Sequence, residues 1–223
     1  MKYNETLQKE VQETLKFEPM LHVAEIGVTV KDGIVTLTGT VDNYIKKMHA
    51  LEAAKKVRGV LAVADDLEVI IDKSSIVSDE MIAANAVRMI RESLIIPEEA
   101  VKVTIADGRI TLEGIVTWDF QREMAVHLVK DLMGVRGVNN KIKLKKEFYT
   151  KVNKEKIVHA FQRHWSLDTD DISIKVKGGT VELSGSVCSL YQKEEAERIA
   201  FKTPGVQKVI NNLTIEPGLP YLC

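Results

Sequence analysis

One sequence unit recurs three times in this 223-residue chain, and that recurrence limits the fold more than any other feature. The segments DGIVTLTGTV, DGRITLEGIV and GGTVELSGSV begin at Asp32, Asp107 and Gly178. They align Gly39, Gly114 and Gly185, which lie 75 and 71 residues apart. Twenty residues after each stands a Gly-Val pair: Gly59-Val60, Gly134-Val135 and Gly205-Val206. Two signatures holding one spacing in three places define a module of roughly 70 residues. The module boundaries are expected at 1–72, 77–145 and 152–216. The joins between them are short and polar with apolar islands at Ile76, Phe148 and Tyr149. Protease is expected to cut first in these joins or in the tail carrying Pro217 and Pro220.

Each module runs through the same patterns. Leu7, Val11 and Leu15 recur at helical spacing, as do Ile82, Ala86 and Ile90, then Ile157 and Phe161. Ser78 and Asp79 are plausible N-caps of the second of these helices. Period-two alternation follows in Ile26-Val28-Val30, Val101-Val103-Ile105 and Ile172-Ile174-Val176, which predicts strands with one buried face. Asp32-Gly33, Asp107-Gly108 and Gly178-Gly179 supply the positive φ of tight hairpins. A second strand alternates Val35, Leu37 and Val41 with threonines. A second helix is expected to bury Ile45, Ala50, Ala53 and Val57, with Phe120, Ala125, Leu128 and Leu132, then Tyr191, Ala196 and Ile199, as counterparts. Gly59, Gly134 and Gly205 read as the C′ residues of these helices, and a last strand closes the unit. The fold class is α+β: three tandem α-β-β-α-β modules, each a three-stranded mixed sheet with two helices on one face. The preferred strand order is 2-1-3, with the third strand parallel to the second.

The pairing of G-x-V-x-L-x-G-x-V with G-V-x-x-V-x-N about twenty residues later resembles the BON domain, a family named for bacterial OsmY and nodulation proteins. The first part stands at Gly33 to Val41, Gly108 to Val116 and Gly179 to Val187; the second includes Asn140 and Asn211, with Asp65 in the first copy. The resemblance covers nearly the whole chain. It implies a bacterial, non-enzymatic module that attaches to phospholipid membranes, often periplasmic and associated with osmotic or envelope stress.

Composition narrows the remaining classes. Lys and Arg number 31 against 32 Asp and Glu, so the net charge of -1 exerts no whole-chain pull toward nucleic acid. With 5% aromatic residues and no basic stripe interleaved among them, stacking on single strands is disfavoured. No apolar run reaches the ~20 residues of a transmembrane helix. The first fifteen residues read as an amphipathic helix rather than a signal peptide, so the expected compartment is cytoplasmic, or periplasmic if an export signal has been removed.

The individual candidates mostly read as structural. Gly39, Gly114 and Gly185 sit inside strands, where glycine marks a bulge or a close backbone approach. No glycine begins a phosphate-binding loop. His159 and His164 are five residues apart and cannot share one helix face, while His22, His49 and His127 make no pair, so neither metal nor cofactor is expected. Two cysteines, Cys188 and Cys223, are too few for a disulfide framework, and Cys188 reads as a tolerated position rather than a nucleophile. Trp118 and Trp165 read as partly buried anchors. The uneven feature is Lys46, Lys47, Lys55, Lys56 and Arg58 facing only Glu52 on one helix. Those four lysines are the candidate contact with an anionic phospholipid surface. The alternative is a protein-interaction scaffold; an enzyme is not expected.

Overall fold

In a computed structural model, residues 2–21, 26–71, 77–145, 152–164, 167 and 171–216 are described. His22, Ile76, Phe148, Tyr149, Trp165, Cys223 and the tail beyond Glu216 lie outside them. The first module comprises α1 (Lys2–Lys16), β1 (Ile26–Lys31), β2 (Ile34–Val41), α2 (Tyr44–Lys56) and β3 (Ala62–Val69). The second comprises α3 (Asp79–Glu92), β4 (Val101–Ala106), β5 (Arg109–Val116), α4 (Asp119–Lys130) and β6 (Gly137–Leu144). The third comprises α5 (Lys154–Gln162), β7 (Ile172–Lys177), β8 (Thr180–Val187), α6 (Leu190–Phe201) and β9 (Lys208–Ile215). Chain contacts group into two compact units. One holds residues 1–39, 48–67 and 149–223; the other holds 40–47 and 68–148.

The expected strand order is corrected. The three sheets run β1-β2-β3, β4-β5-β6 and β7-β8-β9, so the second strand of each module is central. It pairs antiparallel with the strand before it, and β5–β6 and β8–β9 are parallel. The first module repeats the bonds that flank this parallel pairing: Leu61 N donates to Gly33 O, and Ile70 N to Val41 O. Their counterparts are Arg136 to Gly108 with Lys145 to Val116, and Gln207 to Gly179 with Glu216 to Val187. The longer strand, eight residues against six, takes the centre and satisfies its backbone groups on both edges. Order 2-1-3 would leave that longer strand with an open edge.

The core lies between the helices and one sheet face. Leu7, Val11 and Leu15 are at most 2% exposed, four residues apart on α1, and Ile157 and Phe161 are wholly buried on α5. Burying one such side chain contributes about 1.5–3 kcal/mol. Ser78 caps α3, its hydroxyl accepting from Met81 N. Asp79 does different work: its carboxylate accepts from the amides of Asp107 and Gly108, both at 2.8 Å, and so holds the hairpin turn. On α4 the buried stripe is Gln121, Ala125 and Val129, while Phe120 is 50% exposed. Phe120 lies five residues before Ala125, about 140° around the helix, and so falls off the stripe it was expected to join.

The repeated glycines divide into two kinds. A Cβ at Gly114 would lie 2.0 Å from Ala100 O, and one at Gly185 would lie within 1.9 Å of Asp171 O. The amide of the next residue, Ile115 or Ser186, donates to that same carbonyl. These strand glycines therefore admit a neighbouring backbone, as expected. Gly59, Gly134 and Gly205 are not C′ residues. Val60 N donates to Val57 O, Val135 N to Leu132 O, and Val206 N to Thr203 O, which closes a further turn beyond each helix. Glycine is third in that turn with φ of 83°, 92° and 90°, and the third copy places Pro204 second. That is the signature of a type II turn.

The Asn column also resolves. Asn140 Oδ1 accepts from Ile142 N, and Asn211 Oδ1 from Leu213 N, two residues on. Asp65 Oδ1 accepts from Leu67 N in the same way, so the carboxylate does the work of the amide oxygen. Two stability predictions follow from these backbone contacts. Gly114→Ala and Gly185→Ala should each cost at least the roughly 1–3 kcal/mol of a strained backbone position, read by urea unfolding. Asp65→Asn should change stability by less than about 0.5 kcal/mol, whereas Asp65→Ala should lose roughly 1 kcal/mol.

Candidate functional site

Helix α2 carries the four candidate lysines, and its geometry determines what they do together. Successive residues turn by 100°, so Lys55 lies about 180° around the axis from Lys46, and Lys56 the same from Lys47. The four do not share one face. Ala50, Ala53 and Ala54 are its buried residues, small side chains that let the helix sit close to the core beneath it.

At the helix start, Asn43 Oδ1 accepts from Lys46 N at 2.9 Å, a side-chain cap. Lys46 Nζ meets Asp42 Oδ2 at 2.6 Å and its side chain is 17% exposed. Lys47 is half-buried. At the helix end the surroundings belong to the third module. Lys55 Nζ lies 2.9 Å from both carboxylate oxygens of Glu194. Lys56 Nζ stands 5.6 Å from the ring centroid of Tyr191, within cation–π range. Gly59 N donates to Cys188 O at 3.3 Å. Two of the four lysines thus tie the first module to α6, a role that no single-sequence signal in α2 announces.

The α6 side of this contact contains a buried acid. Glu195 is 4% exposed; its carboxylate accepts from Arg198 Nε at 2.7 Å and faces His164 Nε2 at 2.9 Å. Desolvation raises the Tyr191 phenol above its ordinary pKa, the Glu195 and Glu52 charges adding to that and Arg198 opposing it. Glu195 is interleaved with Lys193, Glu194, Glu197 and Arg198, a run whose residue types suit a solvated face, yet it is buried. The period of the helix offers the missing signal, because Glu195 adjoins Ala196 and lies four residues before Ile199, both buried.

The remaining candidates fall as follows. Trp118 is half-buried at the N-cap of α4, where the other modules have the capping residues Asn43 and Ser189. Gln121 serves other donors, its Oε1 accepting from the amides of Thr117 and Trp118, as Gln192 Oε1 accepts from Cys188 N in the third module. Cys188 is disulfide-bonded, so it is neither a free thiol nor a nucleophile; the chain's other cysteine, Cys223, lies outside the described residues. Among the described residues no group of three metal-ligating side chains comes together, and no helix is long and apolar enough to cross a membrane.

The Lys55–Glu194 pair is partly exposed, so it contributes about 0.2–1 kcal/mol. A double-mutant cycle with Lys55→Ala and Glu194→Ala, read by denaturant unfolding, should return a coupling in that range that shrinks in high salt. Coupling of zero at low salt would show that the pair does not link the modules.

Comparison with known proteins matches the BON domain at residues 4–70, 78–146 and 151–217. Osmotically-inducible protein Y of Escherichia coli (strain K12) is 32% identical over 125 residues, which is 54% of this chain. The match spans 62% of that relative's length. Among solved structures, CdsD, a structural protein of the type III secretion system of Chlamydia trachomatis, aligns at 14% identity and a TM-score of 0.26. That alignment covers 96% of this chain and 93% of the other. The CdsD C-terminal domain aligns at 15% identity and a TM-score of 0.24, covering 95% and 98%. With three matches that together take in nearly every residue, the chain belongs to the BON-domain family.

Proposed function

We propose that this protein is a non-catalytic array that attaches weakly and reversibly to anionic membrane surfaces through the basic residues of α2, in the context of osmotic or envelope stress. The observation that carries the reading is the charge asymmetry of α2 and the turn after it, where Lys46, Lys47, Lys55, Lys56 and Arg58 outweigh Glu52. The rest of a chain with net charge -1 offers an anionic surface little attraction. Each basic residue near such a leaflet contributes about 1 kcal/mol. Lys55 and Lys56 turn toward α6 and Lys46 pairs with Asp42, so the contact is weaker than four uncommitted lysines would give. The non-catalytic part rests on what the recurring residues do: the glycines and the Asp65, Asn140 and Asn211 column all serve backbone. The name of the E. coli relative supports the osmotic part.

Flotation with phosphatidylglycerol vesicles at low salt should lift the protein, and high salt should release it, because exposed charges are screened beyond about 8 Å at physiological ionic strength. Phosphatidylcholine vesicles should not lift it. Replacing Lys46, Lys47, Lys55 and Lys56 together with glutamate should abolish flotation. Equal flotation of a variant with all four glutamates would remove α2 from the mechanism.

A second reading, the protein-interaction scaffold, is favoured by the edge strands that each sheet has among the described residues. On compartment, the disulfide at Cys188 supports the oxidising periplasm over the cytoplasm expected from the first fifteen residues. Fractionating cells that express the native reading frame, with thiol labelling of each fraction, should find the protein oxidised and periplasmic; a reduced cytoplasmic pool would return the reading to the cytoplasm.

A further inference from the structure

Because the three modules share one register, each is a control for the others. Counting back from Gly39, Gly114 and Gly185, four core positions fall 28, 24, 13 and 11 residues earlier. The first module fills them with Val11, Leu15, Ile26 and Val28, and the third with Ile157, Phe161, Ile172 and Ile174. None of these eight is more than 8% exposed. The second module has Ala86, Ile90, Val101 and Val103. Ala86 and Ile90 stay buried, but Val101 and Val103 are only half-buried. Val103 is more open than Val28, the same residue in the same column, and its neighbours Ala86 and Val101 are smaller than Val11 and Ile26. The result is a cleft of about 370 Å³ between α3 and β4, walled by Val87, Ile90, Val101 and Val103.

The cleft runs along a sheet edge. Among the described residues β4 pairs with β5 on one side only. A two-residue turn makes Ala106 and Arg109 a hydrogen-bonded pair, and Ala100 O accepts from Ile115 N at the far end. The even-numbered residues therefore bond toward β5. The backbone groups of Val101, Val103 and Ile105 face outward, as on any edge strand. Beside β4, Glu99 has φ of 61°, a left-handed conformation uncommon for a residue with a side chain, and such strain collects at binding sites. The charged lining is balanced, Arg91 and Lys102 against Glu98 and Glu99. An anionic headgroup would meet both carboxylates there, whereas a neutral peptide backbone would not be repelled.

We propose that the second module binds an extended peptide, which adds a strand to the open edge of β4 and drops alternate apolar side chains into the cleft. Main-chain bonds would give affinity and the cleft would select side chains. The inference does not rest on membrane attachment.

The test is to pan a random heptapeptide display library on the full-length protein, counter-selecting with the double variant Ala86→Val, Val101→Ile. Those substitutions install the residues of the first module in the second. Enriched sequences should alternate apolar and polar residues. The synthesised consensus peptide should bind the variant at least tenfold more weakly than wild type by fluorescence anisotropy. Val87→Lys, at a position 41% exposed, should give a similar loss without depending on the core. N-methylating alternate amides of the peptide, in either of the two frames, should cost tenfold in the frame that faces β4. No enrichment, equal binding to both variants, or indifference to N-methylation in both frames would overturn the proposal. Displacement by laurate together with such indifference would overturn it too, and would assign the cleft to an acyl chain.

Discussion

The architecture depends on a carbonyl lodged against a glycine. Ala100 O and Asp171 O sit where the side chains of residues 114 and 185 would otherwise be, and each also accepts from the following amide. That contact fixes where the first strand begins against the central one, and the hairpin register follows from it. With the register set, Val35 and Leu37, Ile110 and Leu112, and Val181 and Leu183 all fall on the buried face. A slip of one residue would turn each pair to solvent. The central strand can then accept a parallel partner on its other edge, which the second helix delivers.

Much of this was legible because the chain carries its own alignment. The helical stripes, the hairpins and the strand glycines could be read from residue types whose physics is local. The strand order could not, since period two reports which face is buried and is silent on which edge is paired. The turn glycines were placed too close to the helices for a related reason: a positive φ is demanded equally by a C′ position and by a type II turn, and only the Val60–Val57 type of hydrogen bond separates them.

The basic helix was legible as composition and illegible as a surface. Four lysines in a row of text become two pairs on opposite sides of a cylinder, and one pair meets Glu194 and Tyr191 far away in sequence. Glu195 is the opposite case. A glutamate among glutamates and lysines reads as solvated, yet its place on the helix puts it inward, where Arg198 and His164 meet it. In both cases the side-chain type set the expectation and the helical angle decided the outcome.

The tie between Lys55 and Glu194 joins residues 139 positions apart, across a whole intervening module. A ribosome adding about 5–20 residues per second needs roughly 7–28 s to travel that distance. During that interval the end of α2 has emerged while the residues it will meet have not yet been made. Between its own synthesis and that of α6, the first module stands with Lys55 and Lys56 unmatched by the third. The order of synthesis therefore makes this contact a late one, closed only after the third module has been made.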